Sequence, residues 1–104
     1  MVYICSPYSG NTRLNTANAR RYCRYAVDKG CIPLAPHLLF PQFMNEETER
    51  ETAMFMNYVL LTKCRELWVF GRTITTGMSE EIEKAKQRKI HIRYFTEEIK
   101  EVND

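Results

Sequence analysis

Apolar residues along the chain fall into short continuous runs separated by longer stretches in which they recur every three to four positions. Short runs bounded by turn residues read as buried strands, and the periodic stretches as amphipathic helices. Val2 to Cys5 is the first run. Ser6, Pro7, Tyr8, Ser9 and Gly10 break it, which predicts a strand followed by a turn. A helix is predicted from about Thr12 to Lys29, with Ala19, Tyr22, Cys23, Ala26 and Val27 as its apolar stripe, Arg20, Arg21 and Arg24 on the other side, and Gly30 beyond its end. Cys31 to Leu34 reads as a second strand. Pro33, Pro36 and Pro41 make the following stretch, to about Asn45, a loop. Thr48 and Glu51 have capping-box spacing and open a helix to about Lys63, with Ala53, Met56, Leu60, Leu61 and Cys64 facing inward. Leu67 to Phe70 is a third strand, closed by Gly71. A loop from Arg72 to Thr76 leads to a helix from about Gly77 to Arg88 with Met78, Ile82 and Ala85 as its buried stripe. Ile90 to Phe95 is a fourth strand, and Thr96 can cap a short last helix.

This alternation of strand and helix predicts an α/β fold in one domain over residues 1–104: a mainly parallel sheet of four to five strands with helices on both faces, a three-layer sandwich. Ligands in such sheets bind beyond the carboxyl ends of the strands. Three loops are expected there: Ser6 to Asn11, Ala35 to Asn45, and Gly71 to Gly77.

Composition narrows the function only modestly. The chain has 104 residues, 44% hydrophobic and 27% charged, with a formal charge of +2. That excess is too small to argue for nucleic acid, including through Arg20, Arg21 and Arg24, yet is compatible with a phosphate-bearing ligand. Cys5, Cys23, Cys31 and Cys64 form no C-x-x-C pair and stand apart from the two histidines, so zinc-ligand spacing is missing and no metal is expected. Cysteines in apolar stretches suit a reducing compartment. The N-terminal residues lack the pattern of a secretory signal, and no apolar stretch approaches the roughly 20 residues of a membrane span. The expected location is cytoplasmic.

Four places can carry chemistry. At roughly 100° per residue, Glu81 lies at the shoulder of the stripe formed by Met78, Ile82 and Ala85, whereas Glu80 and Glu83 point further away. It falls in the first or second turn, where the helix dipole favours a negative charge. A carboxylate there either steadies the helix start or serves as a nucleophile toward a sugar anomeric carbon. In the first loop, Ser6, Tyr8, Ser9 and Gly10 form either a turn with an N-cap or a phosphate cradle. Asn15, one turn into the helix, either binds a ligand or ties down that loop. Asn57 interrupts an apolar stripe and needs partners, from a ligand or from backbone. His37 follows the second strand and is either structural or a contact to a base, a phosphate or a moving proton. His91, mid-strand, reads as structural, and Tyr3 as a core residue with a satisfied hydroxyl.

The segment VYICSPYSG, ending at Gly10, and the segment GMSEEIEKA, from Gly77 to Ala85, together resemble the nucleoside 2-deoxyribosyltransferase superfamily, which includes the 2′-deoxynucleoside 5′-phosphate N-hydrolases. The blocks CSPY, IPLAPH ending at His37, FPQF ending at Phe43, ELWVFG ending at Gly71, and Gly77-Met78 are similar to an uncharacterised bacterial and phage-type branch of that superfamily. The resemblance implies a flavodoxin-like (Rossmann-like) sheet, usually a homo-oligomer, in which a neighbouring subunit can complete the site. It also implies an N-glycosidic-bond hydrolase or transferase acting on deoxynucleosides or their 5′-monophosphates, with no metal or organic cofactor. Glu81 matches the nucleophile and Tyr3 the tyrosine that orients it. Ser6, Tyr8, Gly10 and Asn15 would hold sugar or phosphate, His37 and Asn57 would face the base, and Gly77 and Met78 complete the expected contacts. Asn57 stands where the characterised enzymes carry an aspartate that handles the leaving base, and the loop before Gly77 has Thr75 and Thr76 where an acid is also expected. An amide cannot deliver a proton as a carboxylic acid can. The same resemblance therefore accommodates a module that binds or senses a nucleotide without turning it over.

Overall fold

The computed structural model describes residues 1–102. Its strands are β1 (Val2–Cys5), β2 (Pro33–Leu34), β3 (Glu66–Phe70), β4 (His91–Phe95) and β5 (Glu101–Val102), in the order β2-β1-β3-β4-β5. The first four run parallel, and β5 pairs antiparallel with β4. The helices are α1 (Thr12–Asp28), α2 (Pro36–Leu39), α3 (Arg50–Leu61) and α4 (Thr76–Gln87).

The parallel strands are buried because helices cover both faces. Alternate residues of β1 separate the two cores. Tyr3 and Cys5 join Leu61, Cys64, Leu67, Val69, Met78, Ile82 and Ala85, the layer under α3 and α4. Val2 and Ile4 join Tyr22, Ala26, Trp68, Phe70 and Phe95, the layer under α1. The second core is strongly aromatic. Tyr22 stacks on Phe70 with centroids 4.2 Å apart, and Phe70 on Phe95 at 4.7 Å. Three-layer α/β architecture is thus what the alternation of elements expects.

Four local expectations are corrected. The stretch after β2 is not all loop. Pro36 opens α2, where its fixed φ and missing N–H are harmless, and a 3-10 turn at Phe40–Gln42 follows. Thr48 does not cap α3. Asn45 Oδ1 accepts the N–H groups of Glu47 and Thr48, and Glu49 Oε1 accepts the Asn45 N–H, so helix begins only at Arg50. The inward face of α3 is also rotated: Asn57 and Leu61 are its buried residues, whereas Met56 and Leu60 are half-buried. Among the described residues no helix follows Thr96. Ile99 takes a left-handed φ of 62° and reverses the chain, and the Lys100 N–H bonds to Thr96 Oγ1. The turn instead brings Glu101 against Arg93, whose Nε and Nη2 each donate to its carboxylate at 2.8 Å.

Candidate active site

Loops leaving the carboxyl ends of the strands surround a cavity of about 520 Å³, lined by Tyr8, Ser9, His37, Phe40, Arg50, Asn57, Gly77 and Met78 among others. A smaller space of about 390 Å³, between α3 and α4, includes Asn57, Tyr58, Leu61, Glu81 and Lys84 in its wall. Met54 and Asn57 belong to both walls, so the two spaces meet at α3. All three expected loop regions contribute to this edge.

Glu81 is placed by α4. Thr75 caps that helix, its Oγ1 accepting the Met78 N–H, and the buried Met78, Ile82 and Ala85 seat it on the sheet. Glu81 is 6% exposed, deeper than a shoulder position. The Tyr3 hydroxyl donates to its Oε2, joining residues 78 positions apart. Burial pushes the Glu81 carboxyl up to about 7; the hydrogen bonds from Tyr3 and Cys5 pull the other way, and the Glu80 charge adds slightly to the rise. The helix dipole does not hold this charge, since its effect fades within the first turn and Glu81 lies in the second. Tyr3 is raised well above the ordinary phenol value, first by burial and then by the Glu81 charge, so it stays a donor. Cys5 is likewise raised by burial. Its thiol lies 3.9 Å from the Met78 carbonyl and faces Glu81 from β1.

This pair gives a direct test. Tyr3→Phe removes the hydrogen bond that favours the ionised carboxylate, so the Glu81 pKa should move above 7 by about one unit. Carboxyl carbon shifts followed by NMR titration would read it. An unchanged or lowered value would mean that Tyr3 does not set the charge on Glu81.

Asn57 is 5% exposed, and its Oδ1 has no hydrogen-bond partner among the described residues. A buried amide oxygen normally finds one. Asn57 belongs to the walls of both spaces, on the same helix that brings Arg50 to the outer wall. His37 stacks on Tyr8 with ring centroids 5.1 Å apart. Its partly buried ring is pushed down to about 4 by desolvation, so at neutral pH it carries no proton to give.

The remaining expected residues divide. Tyr8, His37, Asn57, Gly77 and Met78 gather at the 520 Å³ cavity. Ser6 and Asn15 do not: they line a separate cleft of about 370 Å³ beside α1, together with Ser9 and Glu97. Asn15 Nδ2 donates to the carbonyls of Tyr8 and Ser9, so its amide ties down the loop. Asn11, which the sequence did not single out, caps α1 through Leu14 N–H. Gly10 holds a φ of 92° in the turn before it and lines neither main space. Arg21 and Arg24 are engaged by the Glu97 carbonyl and by Asp28. Arg50, Lys84 and Cys5 are the neighbours that sequence reasoning missed. Arg50 carried a signal, as a cation opening the helix that presents Asn57. Cys5 carried none, since only the parallel pairing of β1 and β3 under α4 brings it to Glu81. The described residues hold no cluster of three or more possible metal ligands, and no helix among them is long and apolar enough to cross a membrane.

No curated protein matches the chain. Among solved structures, the 2-deoxyribosyltransferase from the psychrotolerant bacterium Bacillus psychrosaccharolyticus is similar in fold, with a TM-score of 0.66, 15% identity, and coverage of 99% of this chain and 76% of that one. At that identity the likeness establishes the flavodoxin-like, mostly parallel fold. The family model described as a domain of unknown function, DUF7768, matches residues 1–95, and the chain belongs to that family.

Proposed function

We propose that the protein is an N-glycosidic-bond enzyme, a hydrolase or transferase acting on deoxynucleosides or their 5′-monophosphates, and a member of a bacterial and phage-type branch of the 2-deoxyribosyltransferase superfamily. The observation that carries this reading is Glu81: a buried carboxyl oriented by the Tyr3 hydroxyl, in the wall of a space that also reaches Asn57. Its ionised oxygen would attack C1′ and form a glycosyl ester, as retaining glycosidases do. Tyr3 would hold the attacking group in one orientation while its other lone pairs face the substrate. Tyr8, His37, Asn57, Gly77 and Met78 would contact the nucleoside, and Arg50 is the cation placed to meet a 5′-phosphate. Ser6, Gly10 and Asn15 would act through the loop they hold rather than by direct contact. The solved 2-deoxyribosyltransferase, described as a biocatalyst for nucleoside synthesis, lends the reading support through its fold.

The test is base release from deoxynucleosides and their monophosphates by the intact protein, with mass spectrometry for a deoxyribosyl adduct and Glu81→Gln as control. Adduct or release that depends on Glu81 supports the enzyme. Ligand binding by thermal shift without any turnover would favour the sensing module, for which the amide at Asn57 is the specific observation.

We further propose a cytoplasmic homo-oligomer. The four cysteines are free, which suits a reducing compartment. Phe43 and Phe55 are each 66% exposed, and Val59 joins Phe55 on the outer side of α3. A helix apolar nearly all round is expected to be covered. Sedimentation velocity should show a dimer or larger species that Phe55→Glu disrupts; a monomer at every concentration would sink the idea.

A further inference from the structure

We propose that the preferred substrate is an N-glycoside whose base departs without being protonated, a pyridinium ring bearing a carboxamide, and that Asn57 pairs with that carboxamide. The inference rests on the N-glycosidic reading and replaces the neutral-base deoxynucleosides of that reading with a cationic-base N-glycoside.

Two observations lead to it. The first is the shortage of an acid. A neutral nucleobase leaves as an anion unless a group protonates it, and this needs a positioned acid. Apart from Glu81 itself, which is the attacking group and holds the Tyr3 hydroxyl, the described residues around the two spaces supply no buried carboxylic acid or imidazolium. Asn57 is an amide. His37 is neutral. Glu46 and Glu80 stand exposed at the rims, and the Lys84 ammonium lies over the Tyr58 ring at 4.7 Å. A pyridinium needs no such group, because breaking its glycosidic bond neutralises the ring.

The second observation is positive. Asn57 belongs to the walls of both spaces and its Oδ1 is buried and unpartnered, so the amide asks for a donor N–H and can return an N–H to a carbonyl. A carboxamide presents both groups on one edge. The stacked Tyr8 and His37 rings, with Phe40 beside them in the wall, offer π-faces that attract a flat cation.

The chemistry balances without an added reactant beyond water. A Glu81 oxygen bonds to C1′ as the C1′–N pair collapses onto the ring nitrogen, turning carboxylate and pyridinium into a neutral ester and a neutral pyridine. Water then adds its oxygen to C1′, the ester bond breaks, Glu81 returns as carboxylate, and one proton goes to solvent. Hydrolysis of a neutral-base nucleoside releases no net proton, because the departing base takes it.

The intact protein would be given nicotinamide riboside, its 5′-monophosphate and the adenine dinucleotide in one arm, and adenosine, cytidine, uridine, deoxyadenosine, deoxycytidine, thymidine and their 5′-monophosphates in the other. Base release is followed by chromatography and proton release in weak buffer. The expected result is nicotinamide release at least tenfold faster than any neutral base, with one proton per base. The fastest of the three nicotinamide compounds identifies the size of the natural ligand. Asn57→Asp should restore an acid and raise release from the neutral deoxynucleosides at least tenfold. If that variant fails to fold, Asn57→Ala should raise KM for nicotinamide riboside more than for pyridinium riboside without a carboxamide, closing the gap between them. Fast Glu81-dependent release of a neutral base with no nicotinamide release would overturn the substrate class and leave the N-glycosidic reading standing. No release from either arm overturns both. Equal KM values for the two pyridinium ribosides, before any substitution, would remove the role given to Asn57.

Discussion

Glu81→Gln should lower the rate of base release by about 10³-fold or more, the scale expected when the attacking group of a covalent mechanism is removed. The substitution keeps the shape of the side chain and leaves Tyr3 an acceptor, so loss of activity would report on the charge and nucleophilicity of residue 81 rather than on packing. The wild-type rate should also carry the titration of this group. Attack requires the ionised carboxylate, and burial has raised its pKa to about 7. The rate should therefore climb as pH rises through 7 and level off above it. A profile flat from pH 5 to 9, or full activity in the glutamine variant, would remove Glu81 from the chemistry.

The same carboxyl should shape stability, and here a second group opposes it. Glu81 has a folded pKa of about 7 against 4.5 as a model group, so between those values the folded state binds more protons than the unfolded one. Its contribution is present below pH 4.5 and is lost as pH rises to 7, by about 3 kcal/mol. His37 runs the other way. Its pKa falls from 6.5 to about 4, the unfolded state binds more protons in that window, and stability rises with pH across it. Since the ring is only partly buried, solvent screening reduces this to about 2 kcal/mol. The two effects overlap, and wild-type stability should decline only shallowly, by about 1 kcal/mol, between pH 4.5 and 7. Separating them unmasks each. In urea denaturation, Glu81→Gln should grow more stable as pH rises through that range, whereas His37→Gln should grow less stable by about 3 kcal/mol. Parallel profiles for all three proteins would mean that neither group is held in the folded state as its surroundings require.

The placement of α3 bears on both results. Asn57 is one of the two buried residues of a largely apolar helix, with its oxygen unpartnered. Leaving a buried polar group unpaired typically costs about 1–3 kcal/mol. Together with a carboxyl held in a low-dielectric site, it makes the region between α3 and α4 less stable than an all-apolar contact would be. Stored free energy of this kind is common where a protein binds or transforms a ligand.

The order of strands and helices was legible in the sequence because it is written in local periodicity and in breakers. The four apolar runs became β1 to β4, and Gly30 and Gly71 ended elements where the backbone indeed turns to positive φ. Where reading failed, competing local options were close in energy. Asn45 rather than Thr48 took the donors before α3, Pro36 started a turn of helix instead of prolonging a loop, and Ile99 turned the last segment into a strand. Glu81, Tyr3 and Asn57 were visible as residue types at suggestive positions. What only the tertiary structure decided is their condition: that Tyr3 reaches Glu81 across 78 residues, that burial outweighs the helix dipole and lifts the carboxyl to about 7, that His37 is neutral, and that Asn57 Oδ1 is left without a partner where two spaces meet. A period along the chain states which side of an element turns inward. How far a charge lies from water, and which groups face it, depends on segments remote in sequence that meet only when the sheet is assembled.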